Sequence, residues 1–117
     1  MKKVYRQGDV CFVRVEELPS DLAECKMQRK DTFIFAYGET AGACHQVSAK
    51  TAKVYANNAN LDSANDVYMV ADKGADIVHF KPSKTDYKHG NLPLPAGKYK
   101  VIRQREYLSG VIQARLD

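Results

Sequence analysis

VYMVADKGADIVHF, residues 67–80, decides the fold class. Valine, tyrosine, methionine and isoleucine crowd both halves, and Lys73-Gly74 separates them with a turn signal. Short runs of β-branched and aromatic residues bounded by turn residues describe two strands joined by a tight turn. Neither half reaches the ~10–12 residues over which a helical periodicity would declare itself.

Outward from this unit the pattern repeats. VCFVRV (10–15) follows Gly8-Asp9 and reads as a strand with Val10, Phe12 and Arg14 on one face. DTFIFAY (31–37) is a strand ending at Gly38, and the stretches around 44–48 and 52–56 suit two more. KYKVIRQREYL (98–108) alternates Tyr99, Val101, Arg103, Arg105 and Tyr107 on one face with Lys100, Ile102 and Gln104 on the other. Neither face is cleanly apolar, so an edge strand, or one that leaves the core partway, is expected there. ELPSDLAECKM (17–27) places Pro19 and Ser20 ahead of Asp21 and Leu22, leaving room for at most one short helical turn near 19–25. ANNANLDSAND (56–66) is a loop by composition, and it lacks the glycine and terminal glutamate of a calcium-binding EF-hand. KPSKTDYKHGNLPLPAG (81–97), with three prolines and two glycines, holds extended or turn structure. Short strands at ~8–12-residue spacing predict an all-β barrel or sandwich of short antiparallel strands, with residues 1–117 as a single domain.

Composition limits the function classes. Apolar residues make up 44% and charged residues 27% of 117 positions, the balance of a globular protein rather than a disordered one. No apolar run approaches the ~18 residues of a membrane span, and no apolar segment follows the two lysines of MKKVYRQGDV, so a cytosolic protein with no membrane partner is expected. Cys11, Cys25 and Cys44 are odd in number and widely spaced, which fits buried thiols better than a disulfide framework or a cysteine-held zinc. The net charge of +4 is uneven: residues 81–105 carry seven Lys or Arg against Asp86, a sum of +6 that leaves −2 for the rest. That segment is the sequence's candidate footprint for nucleic acid or another polyanion.

RQGDV (6–10), GETAGACHQV (38–47), HGNLPLPAGKYKV (89–101) and RQREY (103–107) occur in that order along the chain. In this the chain resembles a family of small, uncharacterised bacterial and phage proteins carrying QGDV, GExTGHxH, an HxxH-type element, LPxGxYxV and REY. The resemblance implies a phage, prophage or bacterial cytosolic setting and names no activity. It also implies a site built from an HxH and an HxxH pair. Gly38, Glu39, Gly42 and His45 fit the first element, but Ala43 stands where its first histidine would be. His89 fits the second element, with Asp86 in place of the earlier histidine.

Three functional readings follow. Three imidazoles and a carboxylate, His45, His79, Asp86 and His89, suit a divalent transition metal such as zinc or iron, whose ligands a β-fold collects from separate strands. Lys98, Lys100, Arg103 and Arg105 with Tyr99 and Tyr107 interleaved suit nucleic acid, by phosphate neutralisation and base stacking. A protein partner, engaged by strand addition at an exposed basic edge, is the third and principal reading. Catalysis has no motif behind it: P-loop, GxGxxG, GxSxG and HExxH are all missing, and adjacent Cys44 and His45 on a strand face opposite ways.

Overall fold

In the computed structural model, residues 3–37, 43–80 and 91–103 are described. Their strands are β1 (Val4–Gln7), β2 (Val10–Val15), β3 (Ala23–Glu24), β4 (Thr32–Tyr37), β5 (Cys44–Ser48), β6 (Lys53–Ala56), β7 (Val67–Ala71), β8 (Ala75–Phe80), β9 (Leu92–Leu94) and β10 (Gly97–Arg103). All pair antiparallel, in two sheets. One runs β1-β2-β10-β7-β6-β3 and the other β4-β5-β8-β9. The fold is therefore a sandwich of two open sheets, not a closed barrel. Among the described residues the helical content is a single 3₁₀ turn at Leu61–Ser63, inside the asparagine-rich loop. Residues 20 and 21 make a turn and Ala23–Glu24 then pairs with β6, so the segment near 19–25 forms no helix. No helix among the described residues is long and apolar enough to cross a membrane.

The two strands of 67–80 are not partners. β7 pairs with β6 and β10 in one sheet, while β8 pairs with β5 and β9 in the other. The Lys73-Gly74 turn is thus a corner that hands the chain across the sandwich. Gly74 has φ +93°, and a Cβ there would stand 2.9 Å from the Leu94 carbonyl oxygen, so the corner requires glycine. The connections from β5 to β6 and from β9 to β10 change sheets in the same way. The register Lys53↔Val70, Gly97↔Ala71 and Ala75↔Leu94 brings all three corners to one end.

Period-2 alternation fills the space between the sheets. Val10 and Phe12 of β2, Val54 of β6, Val67 and Met69 of β7 and Tyr99 of β10 meet Phe35, Val47 and Ile77 of the opposing sheet. Phe12 and Phe35 pack edge to face across the gap, with centroids 5.5 Å apart. Burial of each such side chain contributes about 1.5–3 kcal/mol.

β10 lies third of six strands, flanked by β2 and β7, so it is not the expected edge. Its alternation is as read, with Tyr99, Val101 and Arg103 buried and Lys98, Lys100 and Ile102 turned outward. A charged residue on the inner face is tolerated because Arg103 finds acceptors there. Its Nη1 donates to the carbonyls of Phe35 (3.2 Å) and Leu61 (3.1 Å), and Nη2 donates to that of Ala64. The guanidinium thereby fixes the 3₁₀ turn against β4. At the opposite flank, the Gln28 amide closes the outer edge of β4, accepting from Ile34 N–H (3.2 Å) and donating to Ile34 C=O (3.0 Å).

Candidate functional site

The end opposite the corners gathers residues from distant parts of the sequence. Gln7 opposes Val10 across the β1–β2 turn, Arg103 opposes Val10 from β10, and Cys44 opposes both Tyr37 and Phe80. Gly8 of the RQGDV stretch makes that turn with φ +57°. A Cβ on it would come within 3.0 Å of the His45 ring, so the ring packs directly on this backbone.

His45 is the centre of this end. It opposes His79 in the β5–β8 register, and the two rings stack with centroids 4.3 Å apart and planes 10° from parallel. His45 is only 6% exposed, and Gln7, equally buried, reaches it from the other sheet. Gln7 Nε2 donates to the Ile77 carbonyl at 2.9 Å, which fixes its Oε1 as the atom 2.8 Å from His45 Nδ1. An amide oxygen only accepts, so Nδ1 carries the hydrogen of that bond. In the neutral ring the lone pair then resides on Nε2.

Cys44 takes no part in this arrangement. Strand alternation sends it to the outer face, where its Sγ donates to Gln46 Oε1 at 3.3 Å. Burial pushes its thiol above the ordinary range, with Arg29 opposing through charge and a hydrogen bond. A buried, protonated thiol is a poor nucleophile.

Of the proposed metal ligands, His45 and His79 come together, while Asp86 and His89 lie outside the described residues. Among the described residues no group of three or more His, Cys, Asp or Glu side chains converges. Of the proposed anion contacts, Tyr99 is fully buried, its hydroxyl donating to the Pro95 carbonyl at 2.6 Å, and Arg103 is 5% exposed. Lys98 and Lys100 lie on the outer face, Lys100 beside Asp66 (4.0 Å) and over the Tyr68 ring (5.9 Å). Arg105 and Tyr107 lie outside the described residues. Sequence reasoning missed Gln7. Its one signal was position, immediately before a glycine that must turn against another strand.

Residues 6–104 match the family model described as Domain of unknown function (DUF8820), and the chain belongs to that family. Comparison with curated proteins and with solved structures returns no match.

Proposed function

We propose that this DUF8820 member acts by binding, and that the His45–His79 end takes up a divalent transition metal ion through His45 Nε2. The orientation of His45 by Gln7 carries the reading. Metal-ligating histidines characteristically donate their other ring N–H to a neighbouring acceptor, which fixes tautomer and ring direction together. Here that acceptor is itself locked by a backbone carbonyl, a more elaborate support than a packed core histidine needs. His79, stacked against the same ring, is the second imidazole within reach once the rings tilt apart. Neutral imidazoles favour zinc, copper, nickel or iron over calcium and magnesium.

The test is addition of Zn2+, Ni2+ or Co2+ to untagged, chelator-treated protein. Saturable thermal stabilisation and a cobalt absorption band are expected, both lost in His45→Gln. Gln7→Leu should weaken binding by about 10–100-fold while the fold persists. No thermal shift with any of the three ions would overturn the reading.

A protein partner engaged by strand addition is the second reading, moved from β10 to β1. β1 is the outermost strand of its sheet and Val4 on it is 59% exposed. Val4→Lys should then abolish partner capture without changing thermal stability; retention of the partner would discard this edge.

A further inference from the structure

Between the β3 side of one sheet and the β4 side of the other, three open hollows of about 540, 490 and 440 Å³ follow one another. The first and second share Ala49, Ala52 and Lys53, and the second and third share Lys26 and Met27, so they make one trough. Lys26, Lys30, Lys50, Lys53 and Lys73 line it against two acids, Glu24 and Asp72, a local charge of +3. These lysines belong to the part of the chain that sums to −2 in sequence, and folding alone concentrates them.

We propose that this trough binds single-stranded nucleic acid. Its lining presents donors and asks for a ligand rich in acceptors. Beyond the ammonium groups, Asn58 and Asn60 use their side-chain oxygens inside their own loop, accepting from Asn60 N–H and Asp62 N–H, so the polar groups they add to the lining are NH2 donors. Lysine supplies compact point charges suited to successive phosphates, whereas carboxylate recognition favours the planar fork of arginine. Partly apolar walls at Tyr55 in the first hollow and Met27 in the other two give a surface for an unpaired base. A recess between two sheet edges admits a single strand more readily than a duplex. This site is separate from the histidine end and does not depend on a metal.

The experiment is fluorescence anisotropy of labelled oligo(dT) and oligo(rU) with the full chain, in chelator, between 50 and 200 mM salt. Binding that weakens with salt is expected. Lys50→Gln/Lys53→Gln/Lys73→Gln should lower affinity at least tenfold and flatten the log–log salt slope by about 2, at ~0.7 per lost phosphate contact. Circular dichroism melting checks that the triple variant is folded, and the single variant Lys53→Gln, at the junction of two hollows, gives an independent reading. Absence of binding at 50 mM salt would overturn the proposal. So would equal affinity for polyglutamate, which would identify an acidic peptide as occupant, or loss of binding in Lys98→Gln/Lys100→Gln with the trough variants unaffected.

Discussion

Gln7 and His45, 38 residues apart and in different sheets, meet at 2.8 Å in a bond whose donor is fixed by the Ile77 carbonyl behind the amide. A side-chain hydrogen bond across the two layers ties the β1–β2 turn to β5. It also decides which imidazole nitrogen can act on a ligand.

The Arg103 guanidinium is the corresponding tie for the loop at 57–66. Arg103→Met should destabilise the protein by about 2–4 kcal/mol in urea unfolding, because buried carbonyls lose their donors. Arg103→Lys should rescue little of this, since one nitrogen on a flexible stem replaces the two that the planar guanidinium holds toward the Phe35, Leu61 and Ala64 carbonyls. Full stability in Arg103→Met would show that the loop holds itself.

Gly74→Ala should cost roughly 1–3 kcal/mol, combining a left-handed backbone with a clash against the Leu94 carbonyl oxygen. The loss should appear mainly as a lower melting temperature. An unchanged melt would mean that the β7–β8 corner adjusts without strain.

Gln28→Ala uncovers the β4 edge at Ile34. A stability loss of about 1 kcal/mol is expected. Concentration-dependent self-association in light scattering is the more telling effect, because an uncovered edge templates pairing with other chains. A variant that stays monomeric would place the protection of this edge elsewhere.

Alkaline pH should weaken the fold. Burial raises the ionisation range of Cys25, Cys44 and Tyr99 alike. The folded chain therefore keeps protons that the unfolded chain gives up. Stability is intact below the ordinary thiol range and declines as pH rises from about 8.5 toward 10 and above. Cys11, partly exposed, should react first with a thiol reagent at pH 7, ahead of the two buried cysteines. Equal rates for all three would contradict their burial.

Much of the local structure was legible because alternation is local. Tyr99, Val101 and Arg103 face inward as their spacing says, and Cys44 and His45 diverge as neighbours on a strand must. The assignment of strands to sheets was not legible. VYMVADKGADIVHF looks the same whether its turn makes a hairpin or a corner, and the choice is made by strands further along the chain, β10 for β7 and β9 for β8. Arg103 misled the placement of β10 because its compensation is three carbonyls, groups every residue carries and no sequence marks. The lysine trough escaped a count along the chain for a related reason: its five cations come from three separate stretches.

The corners at β5–β6, β7–β8 and β9–β10 have an evolutionary consequence. They are short connections whose geometry fixes the path of the chain, so changes of length there would rewire both layers. The loop at 57–66, at the histidine end, carries no such duty: it is long and joins β6 to β7, which are neighbours in one sheet. Variation among relatives should accumulate at that pole, so the molecule resembles a handle of fixed shape carrying a replaceable head.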